Sequence, residues 1–460
     1  MNAELLKGVN HMKKIVSFVL ALTLCLSLMG TSLAEDKIFA GHSLVYTSWG
    51  DSATQTAKQA IIDKFMEDTG CEVNYICINE NYDTKITAMI AAGETIDLAE
   101  MESGTIGFKL AEEGHYELLD PYIERDGIDM DDYVAASCYY DDNGNLISYS
   151  GCIELMTMFY SRDVFDEAGL PYPPSDPDQA WTWDEFVDAA MKLTLDANGK
   201  TPYDEGFDPE NIVRYGVNMG IWWPIWGSFI LSNGGTLVDA EGNFAMNQPA
   251  SVEALQAIAD LALVKHCMPT PTAREGMPGT DVALLTGAYA MVVDGQWLAL
   301  TLADTGVNFG AGTLPRMGGE VVSVCTNGMS VIMKDSKEKE AAWALQQYLQ
   351  DPGKEITLFK NGNLMPSGLK WLTEKEYLDQ WAEEGNPARP EGYDGVIKML
   401  LNNSAAPFTG TIKNFSDMID IVNKEVDEIV YGNKTAQEGM DSAAEQIKTA
   451  GIELALRTAK

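Results

Sequence analysis

Three tryptophans fall within five residues, Trp222, Trp223 and Trp226, with Pro224 between them, and Trp297 follows further along. An indole face packs against the apolar face of a pyranose ring. A carboxylate accepts from the hydroxyl rim in charge-assisted hydrogen bonds that are sensitive to direction. Large aromatics usually lie in cores. Three so close together cannot easily all face one core, and Pro224 is expected to break a regular helix, so at least one should line a cleft. Arginine and lysine are scarce in these segments, which points to a neutral or cationic ligand rather than a phosphorylated or sulfated one.

Paired acids can also hydrolyse glycosides, so a secreted carbohydrate-active hydrolase is the alternative from another class. The chain carries no G-x-S-x-G elbow, H-E-x-x-H, Walker loop or dinucleotide fingerprint. Its four histidines, His11, His42, His115 and His266, are scattered. Catalysis is not expected, nor is a cofactor or a metal.

The elements that must position these residues alternate. Residues 44–48 read as a strand and 54–68 as a helix with Gly70 as its stop. Strand 73–78, helix 84–92 and strand 96–99 follow. Such alternation implies an α/β chain with a mostly parallel sheet covered on both faces, whose ligands gather beyond the carboxyl ends of the strands. Trp49-Gly50-Asp51 and Glu102-Ser103-Gly104 fall there, which makes Trp49, Asp51, Glu102 and Ser103 candidates. For the acids, the alternative is a solvated loop. Asp141 to Asn145 is a hairpin signal rather than a calcium loop, because the closing glutamate is missing. Residues 162–168 form a short helix capped by Ser161 and stopped by Gly169. A proline-rich spacer follows, then a helix opened by a capping box of Thr182 and Glu185. Further helices are expected over 251–264, 337–349, 356–360, from 373 onward and over 436–450, and short strands over 215–219, 307–314 and 328–333.

At 460 residues and 46% hydrophobic, the chain exceeds one ordinary core and implies two domains. The formal charge of -38 disfavours nucleic acid and anionic membranes. Lys13 and Lys14, the apolar run 15–29 and Ser32-Leu33-Ala34 read as a signal peptide over 1–34, hence an exported protein, periplasmic or on the outer face of the cytoplasmic membrane. Leu24 before Cys25 is a poor match to a lipid-anchor signal. Six cysteines follow, Cys71, Cys77, Cys138, Cys152, Cys267 and Cys325, without tight spacing, and free thiols are expected.

The stretch from Tyr160 through Ala168-Gly169-Leu170-Pro171 and its proline spacer to Thr182-Trp183-Asp184-Glu185-Phe186 resembles the signature of the extracellular solute-binding proteins of carbohydrate ABC transporters, the maltose-binding-protein-like group. Gly287-Ala288-Tyr289-Ala290-Met291 with Gly295-Gln296-Trp297 is similar to that family's G-x-A-A-M…G-x-W block. Met365-Pro366 and the segment from Tyr431 to Met440 resemble later landmarks. Gly439 departs from the usual alanine. The resemblance implies a two-lobe periplasmic-binding-protein fold of type II. It implies an amino-terminal lobe of 35–152 plus 324–363, and a carboxyl-terminal lobe of 153–323 plus 364–460. It further implies a monomer that delivers a neutral sugar or oligosaccharide to the transmembrane permease subunits by hinge closure. The same scaffold could hold another ligand such as a polyamine. By this resemblance Glu154, six residues before Tyr160, Trp297 and Phe415 join the ligand-binding candidates; Asp294 joins them too, unless it is only a turn residue before Gly295.

Overall fold

The computed structural model describes residues 37–457 with the exception of residue 51. The signal-peptide segment and Cys25 therefore lie outside the described residues. Among these residues no helix is long and apolar enough to cross a membrane.

Strands β1 (Ser43–Ser48), β2 (Glu72–Cys77), β3 (Leu98–Met101) and β12 (Met329–Ile332) form one sheet in the order β12-β3-β1-β2. Strand β1 runs parallel to β2 and β3, and β12 antiparallel to β3. The helices Ser52–Thr69 and Tyr82–Ala92 connect the three parallel strands. Alternation along β3 covers both faces: Leu98 joins Tyr46, Ile62, Phe65 and Trp343 on one side, while Ala99 and Met101 join Ile86, Phe108 and Met329 on the other. The hairpin of β4 (Cys138–Tyr140) and β5 (Leu146–Tyr149) closes over Asp141, whose carboxylate accepts from the backbone N–H of Asn143 and Asn145. It is a turn, as the sequence indicates.

The second sheet is built around β6 (Cys152–Ser161), with β7 (Leu195–Asp196), β8 (Ile212–Met219), β9 (Tyr289–Gly295), β10 (Phe309–Gly312), β11 (Ser323–Thr326), β13 (Met365–Pro366) and β14 (Ser404–Ala405). It carries more antiparallel pairing than the alternation of elements predicts. Strand β6 runs against β9, β10, β11 and β13, and parallel pairing is confined to β8 with β9 and β11 with β14. Such long-range partners leave no mark on local sequence patterns. The core around it includes Phe159, Phe165, Phe186, Trp226, Phe229, Met291, Met418 and Ile447.

Local signals act as expected in most places. The capping box at Trp183–Leu193 makes both reciprocal bonds, and Gly169 ends Arg162–Ala168 in the left-handed conformation with φ 65°. The Ser161 side chain, however, makes no cap bond. Pro224 does not break a helix. It occupies the first turn of Trp223–Ser232, where its missing N–H costs nothing. Helices Tyr393–Asn402 and Phe415–Val430 extend well beyond what the sequence reading anticipates. The helix Ala436–Ala450 passes through Gly439 without interruption. All six described cysteines are free.

Candidate functional site

The carboxyl ends of the strands converge as the topology requires. Trp49 and Gly50 follow β1, and Glu102 and Ser103 follow β3. From the other sheet come Trp222 and Trp223 after β8, Trp297 after β9 and Glu154 near the start of β6. Together they line a cavity of about 380 Å³. A second chamber of about 500 Å³ opens beside it, sharing Trp49, Gly50 and Glu102 and walled by Asn79, Tyr82 and Asp83.

The indoles are held by their neighbours. Trp222 lies 6.0 Å from Trp223 and 5.9 Å from Trp297 between ring centres, so the three make one continuous half-buried aromatic wall. Trp49 stands opposite, edge-on to Tyr82 at 5.0 Å. The spacing of Gly295 and Trp297 now has a physical reason. A Cβ at position 295 would stand 2.0 Å from the Trp297 ring, so only glycine lets the indole fold back over the strand end. Gly328 backs Trp49 less tightly, with a Cβ position 3.2 Å from its ring.

The polar groups are unevenly satisfied. Lys58 donates to Glu100 at 2.5 Å, to the Trp49 carbonyl at 3.2 Å and to Ser48 Oγ at 3.3 Å, so its charge is fully engaged. The Tyr46 hydroxyl donates to the other Glu100 oxygen at 2.6 Å. Lys58 is the one basic side chain among the described lining residues. Glu154 accepts from the Thr326 hydroxyl at 3.3 Å. Burial first, and the nearby Glu102 charge second, push the Glu154 carboxyl up to about 8 against the opposing Thr326 bond. Glu102, although part of it reaches solvent, is also raised by the protein packed around it, against a bond from the Gly104 N–H. Asn327 Nδ2 is buried without a protein partner, its Oδ1 taken by the Tyr139 hydroxyl. The arrangement joins flat aromatic surface to a carboxyl that is protonated near neutrality, and so able to donate as well as accept.

Of the residues singled out by sequence, Trp49, Glu102, Ser103, Glu154, Trp222, Trp223 and Trp297 meet around the cavity. Asp51 lies outside the described residues. Three others lie away from the cavity. Trp226 is 1% exposed in the core, aligned with Phe229 and Ile230 on the inner face of its helix. Phe415 is 3% exposed and packs behind Trp223 at 5.4 Å, supporting that ring without reaching the cavity. Asp294 does not line the cavity; its carboxylate accepts from the Gly295 N–H at 2.8 Å and fixes the turn that Trp297 folds over. Sequence reasoning missed Lys58, Glu100 and Tyr82. The strand-end rule that found Glu102 would have found Tyr82, which follows the carboxyl end of β2; Glu100 is a lone acid inside an apolar strand, which is itself a signal.

The family described as bacterial extracellular solute-binding protein matches residues 50–356. The sn-glycerol-3-phosphate-binding periplasmic protein of Brucella abortus is 24% identical over 396 residues, covering 80% of this chain and 83% of that protein. Among solved structures, the ABC substrate-binding protein of Listeria monocytogenes in complex with cycloalternan aligns with a TM-score of 0.74 at 22% identity, over 90% of this chain and all of that one. A maltose-bound protein of T. maritima aligns with a TM-score of 0.70 at 16% identity, over 89% of this chain and 100% of that one. These likenesses establish the two-lobe α/β fold.

Proposed function

Because the chain belongs to the bacterial extracellular solute-binding protein family, we propose that its cleft captures a neutral sugar or oligosaccharide and delivers it, unaltered, to the permease subunits of an ABC importer. The chain is read as crossing between lobes near Cys152 to Glu154, near Ser323 and near Leu364. That division gives an amino-terminal lobe of 35–152 with 324–363 and a carboxyl-terminal lobe of 153–323 with 364–460. The pairing of β11 and β13 with the first residues of β6 supports it, since the crossing strands then lie side by side as one hinge.

One observation carries the ligand class. Trp222, Trp223 and Trp297 share a cavity with Glu102 and Glu154, while the single described basic side chain there, Lys58, is taken up by Glu100. Such a surface suits stacking and hydroxyl recognition and leaves no free cation for a phosphate. The reading therefore departs from the ligand named for the Brucella relative. The molecule works as an exported monomer in which the cleft acids orient hydroxyls and do no catalysis.

Incubation with maltose, maltotriose and sn-glycerol-3-phosphate tests this. The expected result is a rise in melting temperature with one of the sugars, no new reducing ends, and no shift with the phosphate. A shift with the phosphate alone overturns the ligand class, and release of reducing ends overturns the transport role in favour of hydrolysis.

A further inference from the structure

The chain's last described strand, β16 (Ala455–Leu456), pairs with β15 (Ile412–Lys413) beside the helix Phe415–Val430, which packs in the carboxyl-terminal core. The next residue, Arg457, turns away from that core. Its Nη2 donates to Glu112 at 2.6 Å and its Nε to Asp142 at 3.0 Å. Its guanidinium also lies 4.2 Å from the centre of the Phe108 ring. All three belong to the amino-terminal side, Phe108 and Glu112 on the short helix Phe108–Glu112 and Asp142 on the turn between β4 and β5. Back on its own side, Nη1 donates to the carbonyl oxygens of Ile412 and Thr409 at 3.2 and 3.4 Å, and the backbone N–H to Thr411 at 2.7 Å. Each of the three guanidinium nitrogens donates at least one hydrogen bond, and the side chain is only 6% exposed.

The contact is reinforced around its edge. Lys413 pairs with Asp142 at 3.1 Å, the Ser103 and Thr409 hydroxyls meet at 3.0 Å, and the Ser416 hydroxyl donates to the Gly104 carbonyl. Packing is close: a Cβ on Gly410 would come within 3.1 Å of the Tyr139 ring. Glu112 and Asp142 are 37% and 40% exposed, but the guanidinium that joins them is buried and holds both lobes at once, so the contact resists their separation more than a single exposed ion pair does. Neither Arg457 nor its acidic partners line the cavity of the tryptophans.

We propose that Arg457 is a positioning residue for the cleft: carried on a carboxyl-terminal strap, it fastens the two lobes in the closed arrangement before any ligand enters, and so sets the affinity of the site. The proposal rests on reading the molecule as a hinged receptor. It does not depend on which ligand the cleft takes.

Small-angle scattering of the ligand-free exported protein tests it, since a compact chain of this size has a radius of gyration of about 22 Å and opening raises it. R457A and, from the opposite lobe, the double variant E112Q/D142N are both expected to shift the radius upward. R457K, which keeps the charge without the fork, is expected to fall between R457A and the parent. An unchanged radius in R457A and in E112Q/D142N, with both chains folded by circular dichroism, overturns the proposal. Should R457A not fold, the double variant decides alone. Because no ligand is present, failure of the sugar panel in the parent protein would leave this result standing.

Discussion

Replacing Glu154 by glutamine should change how stability depends on pH. The folded carboxyl sits at about 8, against an ordinary value of 4.5. Between those two values the native state keeps a proton that the unfolded chain releases. Stability from this group is therefore complete below 4.5 and is lost as pH rises through about 8, at roughly 1.4 kcal/mol per pH unit. Glutamine carries no such proton at any pH. The difference in stability between variant and parent should thus climb in the variant's favour by roughly 2 to 3 kcal/mol from about pH 5.5 to about pH 7.5. For a chain of this length that is about 3 °C in melting temperature. It is an upper value, since water entering the cleft favours the ionised form.

The assay is calorimetry of both proteins at the two pH values, because the other acids cancel in the difference of differences. A difference that stays flat across the interval would refute the reasoning: Glu154 would then be ionised throughout, and its desolvation by the cleft walls would be wrong. Glu102→Gln offers an internal check, since removing the second-largest cause should bring the Glu154 transition to lower pH.

Two further outcomes are expected. Gly295→Ala would bring a methyl to 2.0 Å from the Trp297 ring, so the indole must swing off the strand end; affinity for the bound sugar should fall by about tenfold or more, as for loss of a buried aromatic anchor, and unchanged affinity would mean that Trp297 does not touch ligand. Lys58→Met strands the Glu100 carboxylate in a largely buried setting and should cost about 3 kcal/mol in denaturant unfolding, with Lys58→Met/Glu100→Gln recovering most of it; a double variant no more stable than the single one would sink that account.

What could be read from sequence divides by the range of the interaction. The Thr182 and Glu185 capping box and the Gly169 stop are complete within a few residues and were legible as such. The grouping of Trp49 with Glu102 needed only the rule that strand ends converge. Trp226 was grouped with its neighbours because the start of its helix went unrecognised, and Phe415 was taken from the family resemblance, which carries no helix phase. Once Pro224 is read as opening a helix, the 3.6-residue period aligns Trp226 with Phe229 and Ile230 toward the core. Once Phe415 is the first residue of a long helix, it heads a buried stripe continued by Met418, Ile419 and Val422. The antiparallel partners of β6 were not legible at all, because they come from segments more than a hundred residues away.

The position of Glu154 ties recognition to motion. Its backbone pairs with Thr326 of β11, and its carboxylate accepts from the hydroxyl of that same residue. On the proposed division both belong to crossing strands, so the acid that would meet a sugar hydroxyl is itself part of the hinge. Closing the lobes removes water from this carboxyl, and desolvation favours its neutral form. By linkage, protonating it must favour closure to the same degree. Acid pH and a hydroxyl that needs a donor thus push the hinge the same way. The Arg457 fork acts on the same equilibrium from outside the cleft, through groups that do not line it. The two contributions are therefore separable: opening caused by R457A should persist at every pH in the window, whereas E154Q should remove only the part that varies with it.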